Sequence, residues 1–200
     1  MPADLNHSPI LKVTIFAVHQ GCVLVFDHPL AGTQFPAGTV DLDESPENAA
    51  VRELAEETGI QVDDVEYLGT TFTRREDDLA YTLETVVADD GLRIPRGYRV
   101  HVLGSDGERI RFTRRESDHS EQPPLVLSES AGLTSPQSLT RRIERHFYRA
   151  QARNAAPWSW EGDDGHVWLC HFVEINEVQA FGEQQGWLES FAPALLARSR

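Results

Sequence analysis

The chain has 200 residues, 40% of them hydrophobic and 25% charged, which suits one well-buried core and falls short of two full domains. Thirty-two acidic residues against 18 basic ones give a formal net charge of −14, a field that repels nucleic-acid backbones and disfavours bulk DNA or RNA binding. No apolar run reaches the length of a membrane span, and MPADLNHSPI lacks the regions of a signal peptide, so a cytoplasmic protein with no membrane attachment is expected.

Residues 12–26 read as two strands, KVTIFAV and CVLVF, joined through His19-Gln20-Gly21. Residues 33–43 follow, with Gly32, Pro36 and Gly38 marking bends. The run SPENAAVRELAEETG is the clearest helix: Ser45 is a good N-cap, Pro46 suits the first helical position, Glu47 favours the positive end of the dipole, and Gly59 supplies a left-handed stop. Two further strands are expected at 65–73 and 80–88. Residues 98–103 and 109–114 form a predicted hairpin around Gly104-Ser105-Asp106-Gly107. The Ser-, Glu- and Pro-rich stretch 116–137 reads as a loop. Residues 138–153 read as an amphipathic helix with Leu139, Ile143, Phe147 and Ala150 on one side. A strand over 166–175 and helical stretches at 177–185 and 189–198 close the chain. Cys22 and Cys170 sit in apolar strand-like runs and read as small buried hydrophobes; no Cys/His cluster suggests zinc.

The chemistry centres on the helix. Glu53, Glu56 and Glu57 stand at i, i+3 and i+4 and share an arc of roughly 100°. Val51, Leu54, Ala55 and Thr58 fall on the other side, where they can pack on a sheet. Like charges at this spacing are unfavourable by a few tenths of a kcal/mol, roughly, per pair, and a hard divalent cation would reverse that cost. Alone, E-x-x-E-E is usually a solvated face. Its surroundings point elsewhere: Gly38, five residues, Glu44, seven residues, then Arg52-Glu53-Leu54-Ala55-Glu56-Glu57-Thr58-Gly59-Ile60.

This stretch resembles the Nudix box, G-x5-E-x7-R-E-U-x-E-E-x-G-U with U a bulky aliphatic, at every defined position. A chance match in a chain of this length is expected on the order of once in ten million. The resemblance implies an α+β fold, the Nudix α/β/α sandwich with a mixed β-sheet, forming one domain over 1–200 with a hairpin and a helix inserted at about 89–157. It implies Mg²⁺ (with Mn²⁺ able to replace it) held by Glu53, Glu56, Glu57 and the backbone carbonyl of Ala37. It further implies that Glu53 orients or deprotonates the attacking water, that Glu44 supports the site and that Arg52 holds the glutamates by ion pairs. Glu116 and Glu161 are alternative bases from outside the box, though each also reads as a surface residue.

The expected reaction is cleavage of a pyrophosphate bond in a nucleoside diphosphate linked to another moiety: a nucleotide, a nucleotide sugar or a dinucleotide. A Nudix-fold module that senses a nucleotide without cutting it is the rival, and the retention of every box glutamate argues against it. An isopentenyl diphosphate isomerase would need catalytic Cys and Glu contexts that Cys22 does not offer. Substrate-binding residues are not legible. Arg74 and Arg75 could grip a phosphate or simply end a strand. Arg141, Arg145 and Arg149 form a basic stripe on the expected helix, and Trp158 and Trp160 are structural or could stack on a base. Dimers are frequent in the family, so a homodimer is compatible with the resemblance.

Overall fold

The computed structural model describes residues 5–120, 122–153, 157–161 and 166–197. They form two compact units, one from residues 5–12 and 71–145, the other from 13–70 and 146–197. The segment 89–157 supplies strands to both.

The expected first hairpin is present as β1 (Ile10–His19) and β2 (Cys22–His28), antiparallel with Val18 opposite Val23. Gln20 and Gly21 form its loop with φ of 49° and 84°, the left-handed pair that matches a two-residue loop to the strands' twist. Next come β3 (Gly32–Gln34), paired with β2, and β4 (Ala37–Thr39), paired with β1. The box helix is α1 (Pro46–Thr58), with Ser45 accepting from the Asn48 N–H and Gly59 left-handed at its end. Its buried residues are Ala49, Ala50, Leu54 and Thr58. The expected packing face therefore shifts toward the two alanines, and Val51 and Ala55 are only half-buried.

Strands β5 (Glu66–Arg74), β6 (Leu79–Thr82), β7 (Val86–Val87), β8 (Arg93–Ile94), β9 (Arg99–Asp106) and β10 (Arg109–Asp118) follow. The β9–β10 hairpin turns more tightly than expected, through Gly107-Glu108, with Asp106 opposite Arg109. Gly104 stays inside β9, opposite Arg111 beside a register shift. The stretch expected as a loop over 116–137 instead contains β11 (Leu125–Thr134), antiparallel to β10. It is the edge strand of the sheet β11-β10-β9-β6-β12, with β12 at Leu139–Thr140. An edge strand needs a partner for its backbone more than a buried face, so polar composition conceals it. Pro123 and Pro124 precede the strand and so interrupt no ladder.

The amphipathic helix expected over 138–153, the inserted helix of the fold reading, is absent: β12 and β13 (Arg142–Gln151) occupy it. Leu139, Ile143 and Phe147 are spaced by four, which places residues on one side of a helix and equally on one side of a strand. Pairing decides for the strand: β13 lies between β1 and β5 in one sheet, and that overrides the helix-forming Arg, Glu, Ala and Gln of RIERHFYRAQ. The chain ends in β14 (Trp158–Glu161), β15 (Val167–Glu174) and one helix, α2 (Gln184–Ala197), in place of two helical stretches.

In the first unit Ala80, Val86, Ile94, Val100, Ile110, Phe112 and Leu139 form the core. The second unit has the sheet order β14-β15-β2-β1-β13-β5. Its core is aromatic: Phe16 contacts Phe35 edge-on with centroids 5.0 Å apart and stacks with Phe147 at 6.3 Å. The whole is an α+β architecture, as the box implies. Cys22 and Cys170 are both free, and burial pushes the Cys170 thiol up. No helix of the described residues is long and apolar enough to cross a membrane.

Candidate active site

In the second unit Ala37 and Gly38 lie on β4, Glu44 between β4 and α1, Arg52, Glu53, Glu56 and Glu57 on α1, and Gly59 and Ile60 directly after it. Arg52, half-buried in the second turn of α1, is their common partner. Its Nε and Nη2 donate to the two oxygens of Glu44 at 3.0 and 2.8 Å, a fork-to-fork pair. Nη2 also donates to the Thr39 carbonyl at 3.0 Å. Nη1 donates to Glu53 Oε1 and to Glu56 Oε2, each at 2.9 Å. One nitrogen thus holds an oxygen from each of two carboxylates that would otherwise repel. The Glu44 carboxyl is held below its ordinary range by this bond, and the Arg52 guanidinium is held firmly in its charged form.

Glu53 is not on an open face as the helical arc suggests; only 13% of its side chain is exposed. It lies against Gly38, where an added Cβ would come within 1.8 Å of its carboxylate. A larger residue in place of the box glycine would have to push the end of the Glu53 side chain aside. Glu57 reaches the same loop: the Ala37 N–H donates to its Oε2 at 2.8 Å. Ala37 is absent from the left-handed region, so an alanine carries no backbone strain there. Glu56 is the most exposed of the three, at 41% of its side chain.

The donor set is hard oxygen throughout, which suits Mg²⁺ or Mn²⁺. Among the described residues no three acidic, His or Cys side chains surround a single point. Arg52 and the Ala37 N–H hold the carboxylates instead, close to the loop whose carbonyl the box assigns to the same cation. The Glu53 carboxylate sits in the space left by Gly38, and it is the hard-oxygen chemistry of the donors that fits a divalent ion.

Residues outside the box fare differently. Glu161 is exposed on β14. Glu116 lies on β10 in the first unit, where it accepts from Ser128. Arg75 is engaged by Asp77 at 2.6 Å, and Arg74 is an exposed strand end. Arg141, Arg145 and Arg149 form no helical stripe, because that segment is extended; the Arg149 side chain is 11% exposed and donates to Gln151. Trp158 and Trp160 each donate to a carbonyl of α1, at Thr58 and Glu56, and Trp168 does the same at Glu57. The alternation of the first two tryptophans was legible; Trp168 becomes visible only through its pairing opposite Trp160.

Two outcomes follow. Gly38→Ala must displace the Glu53 carboxylate, and divalent-cation affinity should fall about 10- to 100-fold with an unchanged far-UV spectrum; unaltered Mn²⁺ binding in a titration would contradict this geometry. Because the folded pKa of Glu44 is lowered, its pairing contributes stability that is fully present above its unfolded value of about 4.3 and is lost as pH falls through the lowered folded value. The stability gap between wild type and Glu44→Gln, from urea unfolding at several pH values, should be constant near neutrality and shrink below about pH 4.3. A gap independent of pH would show that the pair is not formed.

A model of the NUDIX domain matches residues 9–122. An RNA pyrophosphohydrolase of Pseudomonas putida is 55% identical over 38 residues, which are 19% of this chain and 24% of that protein. An RNA pyrophosphohydrolase of Cereibacter sphaeroides is 34% identical over 70 residues, 34% of this chain and 43% of its own length. The chain therefore spans less than half the length of these relatives. A crystal structure of a Bacillus subtilis pyrophosphohydrolase superposes with a TM-score of 0.43 at 17% identity, covering 96% of this chain and 81% of that one. With the domain match extending over more than half of the sequence, the chain belongs to the Nudix family.

Proposed function

We propose that this chain hydrolyses a pyrophosphate bond in a nucleoside diphosphate linked to another moiety, using Mg²⁺ or Mn²⁺ held by Glu53, Glu56, Glu57 and the Ala37 carbonyl. The observation that carries the reading is the gathering of Glu44, Glu53 and Glu56 on one guanidinium, with Glu57 over the Ala37 N–H. In the family's chemistry the cation neutralises phosphate oxygens and acidifies water. The chain's own residues then have separate tasks. Glu53, enclosed between Gly38 and Arg52, would orient water or take its proton. Glu44 takes Nε and Nη2 of the guanidinium while Glu53 and Glu56 share Nη1, so Glu44 would keep Arg52 in place with an ion held by the other carboxylates. Glu56 and Glu57 supply charge for the cation without a role in proton transfer. Residues 1–200 are read as one such domain, with about 89–157 added to the family's minimal pattern.

The moiety beyond the diphosphate has two supported readings. The composition favours a small nucleotide derivative, since the net charge of −14 opposes extended contact with a phosphate backbone. The local identity to RNA pyrophosphohydrolases favours an RNA end. Chemistry reconciles the two: a phosphoanhydride in RNA occurs only at a terminus, so the site need admit only the end of the chain. A nucleotide sensor remains the alternative class, and the complete box speaks for turnover.

The test is a panel of nucleoside triphosphates, nucleotide sugars, dinucleotides and a 5′-triphosphorylated oligoribonucleotide, incubated with Mg²⁺ and resolved by chromatography. Release of phosphate, pyrophosphate or a nucleoside monophosphate, abolished by EDTA, is expected for at least one class. Glu56→Gln and Glu57→Gln should each lower turnover about 100-fold or more, by analogy with lost metal partners and charge stabilisation, with folding retained. Full activity in both variants would refute the metal role, and saturable nucleotide binding without turnover by wild type would favour the sensor.

A further inference from the structure

The last turn of α1 ends in an unusual set of partners. A helix leaves its final four carbonyls without intrahelical donors. In α1 these are Ala55, Glu56, Glu57 and Thr58, and every one has a donor. The Gly59 N–H reaches Ala55 O at 2.8 Å. The indole N–H of Trp160 reaches Glu56 O at 2.7 Å, that of Trp168 reaches Glu57 O at 2.9 Å, and that of Trp158 reaches Thr58 O at 2.8 Å. The β14–β15 ribbon makes this possible. Trp158 and Trp160 are two apart, and Trp168 lies directly opposite Trp160, so all three share one face. Gly59 is shaped to the same cap: its φ is 73°, and an added Cβ would come within 2.4 Å of the Trp160 ring.

The residues whose carbonyls are held include two whose side chains bear the proposed metal carboxylates, Glu56 and Glu57. Helix ends fray, and the last turn is the least constrained part of an isolated helix. The common solution at a C-terminus is a lysine or arginine, which also favours the dipole; α1 has no basic residue in its last turn. A flexible cation there could pair with Glu56 or Glu57 and compete with a metal ion. Indole N–H is a neutral donor that accepts nothing and does not titrate. It secures the backbone while leaving the carboxylate charge available.

We infer that Trp158, Trp160 and Trp168 are positioning residues of the cation site, fixing the backbone of the turn that carries Glu56 and Glu57. The inference rests on the cation-site reading above. It predicts that metal binding at the carboxylates is transmitted to the indoles, and that removing an N–H while keeping an aromatic ring weakens the metal more than it disturbs the fold.

The experiment uses the full chain labelled with ¹⁵N-tryptophan, whose four indole signals are assigned by single Trp→Phe variants. On addition of Mg²⁺ the signals of Trp158, Trp160 and Trp168 should move more than that of Trp187, which lies on α2 and packs against Phe147 of β13. In Mn²⁺ titrations followed by electron paramagnetic resonance, Trp160→Phe and Trp168→Phe should raise the Kd about two- to tenfold, with Trp187→Phe as the unaffected control. Wild type that binds Mn²⁺ while its three capping signals stay still, or folded Phe variants that bind as wild type does, would overturn the positioning role alone. With three of the four signals assigned, the fourth follows by elimination, so the wild-type spectra decide the matter even where one variant does not fold. Absence of any Mn²⁺ binding by wild type would remove the cation-site reading, and the positioning role with it.

Discussion

Arg52 donates to Glu44, Glu53, Glu56 and the Thr39 carbonyl through its three guanidinium nitrogens, and the arrangement of the site depends on that convergence. Three carboxylates on or beside one helix repel each other, in a chain already at −14. A planar fork with five N–H donors can satisfy several at fixed directions; a lysine ammonium, a single point of charge, cannot hold two carboxylates and a backbone carbonyl in the same geometry. Burial strengthens the effect, because Glu44 and Glu53 are shielded from water on most of their surface. The pair is thus more than a surface salt bridge of the kind worth little to stability. It holds the charged oxygens of Glu44, Glu53 and Glu56 close together.

The loop at Gly38 and the helix are matched by two glycines in different settings. Gly38 has no left-handed backbone; the Glu53 carboxylate lies where its side chain would be. Gly59 is needed both for its left-handed φ and for the Trp160 ring above it. Between them α1 is fixed at both ends, by Ser45 at its start and by the indole donors at its finish. The sheet supplies the tryptophans and the loop receives the glutamates, so fold and site meet in a single thirteen-residue helix.

How much of this was legible in the sequence varied with the kind of signal. The helix and its caps were, because Ser45, Pro46 and Gly59 act locally and leave local signatures. The ion-pairing role of Arg52 is what the resemblance to the Nudix box implies; in the structure Arg52 bonds to Glu44, Glu53 and Glu56. The segment after residue 116 was misread twice, for separate physical reasons. Leu125–Thr134 is an edge strand whose pairing is made by backbone atoms, which composition does not report. Ile143 and Phe147, spaced by four, satisfy helix and strand periods alike, and their pairing with neighbours decided the outcome. The indole cap was hidden because its three donors act on a helix about a hundred residues earlier in the chain.

The most direct test of the account is a crystal structure grown with Mn²⁺, its position read from anomalous scattering. The account predicts an ion bounded by Glu53, Glu56, Glu57 and the Ala37 carbonyl, with Arg52 still forked on Glu44. An ion bound elsewhere on the chain, or a protein with no ion at saturating Mn²⁺, would contradict it.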